Sequence, residues 1–232
     1  METPTASKIV GVLAYSQMAG DIGCIYGGAG LGKTVTLHAY AEQNPSVWIA
    51  EMNACSAAVA SALEVVCEVT GVRGTAGRPV RMLGDIGKRL KGTGGLLIVD
   101  EAQHLRIQAL EALRAIHDLT GIGLVLCGNE SVYARLTGGG SREATFAQLF
   151  SRLGKRLRLT KPGKGDIEQL ADHYGVAGAE ERALCFDIAS RPGALRGMVK
   201  TLRLAGMFAA GEGAELSADH IRAAWRDLGG VE

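Results

Sequence analysis

An eight-residue stretch, Gly27 to Thr34, carries the clearest chemistry in this sequence. It reads GGAGLGKT and fits the pattern G-x-x-x-x-G-K-[ST] at every fixed position. Glycines let such a loop curl so that its N–H groups point at phosphate oxygens, and the following helix adds the positive end of its dipole. In this pattern Lys33 reaches the β- and γ-phosphates, and the Thr34 hydroxyl binds Mg²⁺. The residues predicted to contact a nucleotide are Gly28, Ala29, Gly30, Leu31, Gly32, Lys33 and Thr34.

A second motif places two carboxylates at the end of an apolar run. Leu96 to Val99 is followed directly by Asp100 and Glu101. An aspartate at the end of a strand can hold the Mg²⁺ that Thr34 also binds. The neighbouring Glu101 can polarise a water for in-line attack on the γ-phosphate. Adjacent carboxylates can also be a plain polar strand end, but together with Lys33 they favour nucleotide hydrolysis.

Two asparagines follow other apolar runs. Asn129 comes after Leu124 to Gly128 and can orient the attacking water, although an asparagine after a glycine is also common in turns. Asn53 comes after the run from Val47 to Met52 and can hold Glu101 in an inactive rotamer until a ligand displaces it. Alternatively, Asn53 caps the next helix.

Two arginines complete the set of candidate catalytic residues. Arg152 precedes the fifth apolar run, where its guanidinium could reach the γ-phosphate held by a neighbouring subunit. Arg196 follows Pro192 and Gly193 near the start of a predicted helix, from which it could close onto the phosphates of its own chain. Taken singly, each arginine fits a surface ion pair better than a catalytic role, but its position relative to the other motifs reverses that preference.

The elements that must position these residues alternate between strands and helices, which favours a parallel sheet covered on both faces. Strands are predicted at 22–27, 47–52, 95–100, 122–128 and 156–160, with a short helix at 9–18. Further helices are predicted at 33–44, 55–70, 79–91, 107–119 and 129–137. After Lys161 only helical spacing continues. We therefore expect an α/β core at residues 1–161 and a small all-helical lid at 162–232.

Composition narrows the class of protein. Of the 232 residues, 47% are hydrophobic and 21% are charged, and the net charge of +1 does not by itself indicate a polyanionic partner. Residues 135–165 nevertheless hold eight basic side chains against Glu143 as the single acid, which is typical of a phosphate-facing or a solvated surface. No apolar run reaches the length of a membrane span, and the first 20 residues lack the features of a signal peptide. We expect a cytoplasmic protein that does not enter membranes.

With these residues in order, the chain resembles the AAA+ ATPases. Gly27–Thr34 matches Walker A, Leu96–Glu101 matches Walker B, Asn129 matches sensor 1, Arg152 the arginine finger and Arg196 sensor 2. The runs at 100–105, 113–122 and 146–152 resemble, more narrowly, the target-selection ATPases of Mu-like transposable phages. Related transposon ATPases and a secretion-linked ATPase family share much of this pattern.

The resemblance implies a five-stranded parallel sheet of order 5-1-4-3-2 followed by the lid, with ATP and Mg²⁺ in the site. It also implies sequence-nonspecific binding to double-stranded DNA, self-association into a helical filament or ring, and recruitment of a DDE transposase. Hydrolysis would then disassemble the filament, in the bacterial cytoplasm at the nucleoid. The alternative is a secretion-associated or protein-remodelling ATPase that does not act on DNA. A small-molecule kinase is disfavoured by the Asp100–Glu101 pair and the helical lid.

The DNA contacts are predicted from basic residues alone. In the related folds the loops that hold them line the inner face of the filament. The Mu protein has a helical DNA-binding domain ahead of its ATPase, whereas only some twenty residues precede the first strand here. We therefore expect either a family member that lacks this domain or a trimmed chain. With aromatics at 5%, base-reading by stacking is not expected. The candidate DNA-binding residues are Arg73, Arg78, Arg81 and Arg106.

Overall fold

The computed structural model describes residues 3–73, 78–136 and 153–230. Contacts within the chain separate two compact units. The first holds residues 8–27 and 33–158, and the second holds residues 1–7, 28–32 and 159–232. The second unit includes residues 1–7 and 28–32 as well as the C-terminal helices, so it does not correspond to a single division of the chain at residue 161. The predicted domain boundary at that residue stays a prediction.

The first unit is built on five strands in the order β2-β3-β4-β1-β5, which confirms the predicted order. Parallel pairing sets Ile22 opposite Leu124 and Leu96 opposite Gly123. The three central strands are buried along their whole length, as expected for a sheet covered on both faces. The strands are β1 (Ile22–Gly27), β2 (Val47–Glu51), β3 (Leu96–Asp100), β4 (Gly123–Gly128) and β5 (Leu153–Leu159).

Helices fill the connections between these strands. Leu63, Met82, Ile86 and Leu113 pack with the strand residues into one apolar core. Short 3-10 helices lie at Ala54–Ser56 and Ala102–His104. The helices are α1 (Pro4–Ala19), α2 (Lys33–Gln43), α3 (Val59–Thr70), α4 (Pro79–Leu90), α5 (Ile107–Thr120) and α6 (Glu130–Leu136).

Three of these predicted elements begin at the wrong residue by three positions or more. Helix α3 begins at Val59 rather than at residue 55, because Ala54–Ser56 form a separate 3-10 helix. Strand β5 begins at Leu153 rather than at residue 156. Leu153 and Leu159 are buried at its two ends, whereas the residues between them are exposed or half-buried. Helix α1 begins at Pro4 rather than at residue 9. The Thr3 hydroxyl accepts a hydrogen bond from the Ala6 N–H at 3.2 Å and caps this helix.

Helices alone follow β5 in the second unit, which confirms the predicted helical C-terminal region. These are α7 (Lys164–His173), α8 (Ala179–Ser190), α9 (Ala194–Glu212) and α10 (Ala218–Asp227). They bury a separate apolar cluster that contains Ile188, Met198, Leu202 and Ile221. Among the residues that the structure describes, no helix is long and apolar enough to cross a membrane.

A buried carboxylate joins the first turn of α1 to the start of α7. Asp166 is fully buried. It accepts hydrogen bonds from the Thr5 N–H at 2.8 Å, from the Thr5 hydroxyl at 2.6 Å and from the Gly163 N–H at 2.8 Å. Burial raises the pKa of this carboxyl, but the hydrogen bonds outweigh that effect and leave the pKa below its ordinary value.

Candidate nucleotide-binding site

The glycine-rich loop connects the end of β1 to the start of α2. Gly30 and Gly32 have φ values of 77° and 81°, a backbone region that other residues rarely adopt. Lys33 Nζ donates a hydrogen bond to the Gly27 carbonyl at 3.0 Å, so the ammonium lies back against the loop. These features give the strand–loop–helix arrangement that binds phosphate at a helix N-terminus.

Asp100 lies at the carboxyl end of β3 and is 1% exposed. Its Oδ2 accepts a hydrogen bond from the Thr34 hydroxyl at 2.7 Å, and its Oδ1 accepts one from the Glu101 N–H at 2.9 Å. The neighbouring Cys127 thiol has a pKa well above its usual value, first because it is buried and then because of the Asp100 charge. A protonated thiol therefore faces this carboxylate.

The Thr34 and Asp100 oxygens fit the requirements of Mg²⁺. This ion prefers oxygen ligands and is commonly held by one or two carboxylates together with substrate phosphates. The structure brings one hydroxyl and one buried carboxylate within 2.7 Å of each other beside the loop residue Lys33. The donor set is therefore suited to the predicted metal.

Glu101 occupies a strained turn just beyond β3. Its φ of 53° lies in the left-handed region, and the 3-10 helix at Ala102–His104 begins directly after it. The Gln103 side chain donates from Nε2 to the Glu101 carboxylate. The same Gln103 accepts a hydrogen bond at Oε1 from the Asn129 N–H at 3.2 Å.

Gln103 is the functional candidate that sequence reasoning missed. The signal was its position two residues after Glu101, in the run from Asp100 to Leu105 that carried the family resemblance. That position alone does not show that one amide contacts both Glu101 and the end of β4.

The two predicted asparagines use their side chains locally. Asn129 Oδ1 accepts hydrogen bonds from the Ser131 N–H at 2.9 Å and the Ser131 hydroxyl at 2.7 Å. Asn53 Oδ1 accepts one from the Cys55 N–H at 2.8 Å and caps the 3-10 helix there. Both local uses match the structural alternatives considered above, and the water-orienting and switch roles stay predictions.

Arg196 lies in the first turn of α9, next to the glycine-rich loop. Its N–H donates to the Gly30 carbonyl at 3.3 Å. A Cβ added to Gly30 would lie 2.2 Å from the Gly193 carbonyl oxygen, so the two backbones are closely packed. The Arg196 side chain is exposed. This places the predicted sensor 2 residue beside the part of the loop that belongs to its own unit.

The remaining predicted residues are basic. Arg152 lies outside the described residues. Arg73 follows α3, Arg78 and Arg81 lie at the start of α4, and Arg106 precedes α5; all four are exposed. Arg89 Nε donates to the Thr70 carbonyl at 3.2 Å, so α3 and α4 end side by side. Arg78 and Arg81, at the start of α4, therefore lie away from the place where α3 ends.

Comparison with known families and structures agrees with this geometry. The family model described as "AAA domain" matches residues 17–136, and the one described as "Mu B transposition protein, C terminal" matches residues 151–228. The ATP-dependent target DNA activator B of Escherichia phage Mu is 37% identical over 98% of this chain and 73% of its own length.

Solved structures agree at the level of the fold. The Aeropyrum pernix ORC2 protein aligns with a TM-score of 0.66 at 20% identity, over 96% of this chain and 65% of that one. Domain III of the Thermotoga maritima replication initiation protein DnaA aligns with a TM-score of 0.64 at 16% identity, over 97% of this chain and 92% of that one. Both likenesses show the AAA+ fold. The identity to the phage protein over nearly the whole chain goes further, and the chain belongs to the Mu B family of AAA+ ATPases.

Proposed function

We propose that this ATPase binds Mg²⁺–ATP, assembles on double-stranded DNA without sequence preference, and recruits and activates a DDE transposase at the DNA it covers. Hydrolysis of ATP then releases the assembly. The observation that carries the proposal is the Thr34–Asp100 contact beside the glycine-rich loop, in a chain 37% identical to an ATP-dependent target DNA activator. On this proposal the protein acts in the bacterial cytoplasm, at the nucleoid.

Each part of the site has a distinct task in hydrolysis. Lys33 leaves the Gly27 carbonyl to bind the β- and γ-phosphates, while Thr34 and Asp100 hold the metal. Bound Mg²⁺ supplies charge neutralisation on the phosphates. Glu101 accepts the proton of the attacking water. Asn129 orients that water. For the predicted switch role, the Asn53 side chain would have to leave its cap at Cys55 and bind the Glu101 carboxylate.

The exposed arginines supply the DNA-binding surface. Arg78 and Arg81 at the start of α4, with Arg106, offer guanidinium groups to phosphate oxygens. Arg73 follows the end of α3, which lies beside the other end of α4, and would make a separate contact. Contacts of this kind do not read bases, so we expect affinity to depend on salt and not on sequence.

The test is an assembly assay with matched nucleotides. Light scattering and gel-shift measurements on a duplex of random sequence should show association at low salt with ATP but not with ADP. Fragments of different sequence should bind alike. Assembly that needs ATP but is indifferent to DNA would replace the proposal with a protein-remodelling function. Association that ignores the nucleotide would also contradict it.

The role of Arg152 requires a second chain. If Arg152 completes the site of a neighbouring subunit, Arg152→Ala and Glu101→Gln proteins are each inactive alone but regain hydrolysis when mixed. A mixed assembly then contains sites with a wild-type Glu101 and a wild-type arginine finger. Lack of recovery in mixtures that co-assemble would place Arg152 outside the shared site.

A further inference from the structure

The carboxylate of Glu101 is held by a neighbouring side chain. The left-handed backbone of Glu101 turns the chain sharply after Asp100, and the Glu101 N–H is bound to Asp100 Oδ1 at 2.9 Å. The carboxylate then accepts a hydrogen bond from Gln103 Nε2. A carboxylate has room for several donors, so one bond from Gln103 leaves acceptor positions for a water.

The other end of the same amide is bound to a different strand. Gln103 Oε1 accepts the Asn129 N–H at 3.2 Å. A Cβ added to Gly128 would lie 2.3 Å from Gln103 Oε1, so the amide lies directly against the backbone at the end of β4. Glycine at position 128 therefore allows this contact, because a side chain there would collide with the amide.

Neither predicted asparagine contacts the Glu101 carboxylate with its side chain. The Oδ1 atoms of Asn129 and Asn53 cap local turns at Ser131 and Cys55. Within residues 3–73, 78–136 and 153–230, the hydrogen bond recorded to that carboxylate comes from Gln103. One amide, with a donor end and an acceptor end, thus links the Glu101 carboxylate to the backbone at the end of β4.

We propose that Gln103 is a positioning residue for hydrolysis. It orients the Glu101 carboxylate and couples that orientation to the backbone at Asn129, where β4 ends beside the nucleotide site. The inference rests on the proposed role of Glu101 as the base.

Two substitutions distinguish the hydrogen bond that the Gln103 amide donates from the one that it accepts. Gln103→Glu keeps an oxygen for the Asn129 N–H but replaces the donor to Glu101 with a like charge, whereas Gln103→Met removes both hydrogen bonds. We expect both to lower kcat roughly 10- to 100-fold, as for a misplaced reacting group. The Kd for fluorescent ATP should stay within roughly twofold, since neither phosphate nor metal contacts change. Gln108→Met, on the exposed face of α5, is the matched control and should retain wild-type kcat.

A double-mutant cycle excludes a merely structural role. In the Glu101→Gln background the residual hydrolysis rate is measured in single-turnover experiments with enzyme in excess over ATP. Gln103→Glu should cause no further loss of that residual rate, because the residue that it positions is already disabled. Hydrogen exchange at the Asn129 amide should be faster in Gln103→Met and close to wild type in Gln103→Glu. The exchange experiment reports the contact without any turnover.

The outcomes distinguish the positioning role of Gln103 from the proposed role of Glu101 as the base. Wild-type kcat in Gln103→Glu, additive losses in the cycle, or unchanged Asn129 exchange in Gln103→Met would overturn the positioning role alone. Full hydrolysis by Glu101→Gln would overturn the base assignment and the positioning role with it. If Gln103→Met does not fold, Gln103→Glu still decides the question through kcat and the cycle.

Discussion

The Thr34 hydroxyl donates a 2.7 Å hydrogen bond to Asp100, which lies 66 positions later in the chain. Thr34 lies in the first turn of α2 and Asp100 ends β3. Their contact therefore depends on the strand order, in which β3 lies two strands from β1. Both oxygen-bearing side chains are therefore needed for the pair to bind a metal ion.

Removing the Thr34 hydroxyl should weaken the use of Mg²⁺. Thr34→Val keeps the shape but loses one oxygen ligand, and we expect hydrolysis to fall by roughly 10- to 100-fold, as for other losses around a metal. Thr34→Ser keeps the oxygen and should retain most activity. Titrating Mg²⁺ at fixed ATP measures the effect. Equal Mg²⁺ dependence in Thr34→Val and wild type would contradict the metal assignment.

Removing the Lys33 ammonium should abolish nucleotide binding while sparing the fold. In this structure Lys33 contacts a loop carbonyl. Its loss should therefore change the free energy of unfolding by only about 1 kcal/mol. Titration of Lys33→Ala with a fluorescent ATP analogue should show no saturable binding. Wild-type affinity in a folded Lys33→Ala protein would mean that the loop does not bind the phosphates as proposed.

The two glycines of the loop should differ in their cost of substitution. Both have positive φ, so alanine is strained by about 1–2 kcal/mol at either position. At Gly30 the new Cβ also meets the Gly193 carbonyl at 2.2 Å, whereas at Gly32 nothing lies within 4 Å. Gly30→Ala should therefore lose about 1–3 kcal/mol more than Gly32→Ala. Denaturant unfolding without nucleotide compares them, and equal losses would argue against the close packing at Gly30.

Asp166 should give the protein an acid-sensitive contribution to stability. Its pKa in the folded protein is lowered from 3.8, so folding favours the ionised form. The stabilisation is therefore complete above pH 4, near the unfolded value, and is lost as the pH falls through the folded value. Asp166→Ala should cost about 1.5–3 kcal/mol at pH 7, as for buried hydrogen bonds to a charge.

Unfolding curves at pH 7 and pH 3 measure this contribution. The difference in stability between wild type and Asp166→Ala should shrink at the lower pH. Asp227→Asn, at an exposed carboxylate in the last turn of α10, is the control and should behave like wild type at both values. A difference that is constant with pH would show that Asp166 contributes through packing alone.

Arg81 should contribute to DNA affinity through phosphate contact. Arg81→Ala should weaken binding alike on all sequences. It should also reduce the magnitude of the slope of log K against log salt by about 0.9, the value for one phosphate contact. Lys91→Ala removes an exposed charge at the other end of α4 and should leave the slope unchanged. An unchanged slope for Arg81→Ala would remove this residue from the interface.

Local sequence was sufficient for most of the fold. The strand before the glycine-rich loop, the helix after it and the strand that ends in Asp100 follow from apolar runs and glycines within a few residues, since turns and buried strands depend on nearby side chains. The start of the edge strand β5 was harder to predict from the sequence. It contains charged residues, as a loop does, and only its position beside β1 identifies it as a strand.

The sequence by itself determined which functional groups are present: a glycine-rich phosphate-binding loop, a hydroxyl, two carboxylates and a set of arginines. Only the tertiary structure decided which of these groups meet. Gln103 contacts Glu101 and Asn129 because β3 and β4 are neighbours in the sheet, and Gly30 contacts Gly193 because α9 begins beside the loop. The contact between Gln103 and Asn129 joins residues 26 positions apart, and the one between Gly30 and Gly193 joins residues 163 positions apart. They depend on strand order and side-chain rotamers, which no local pattern specifies.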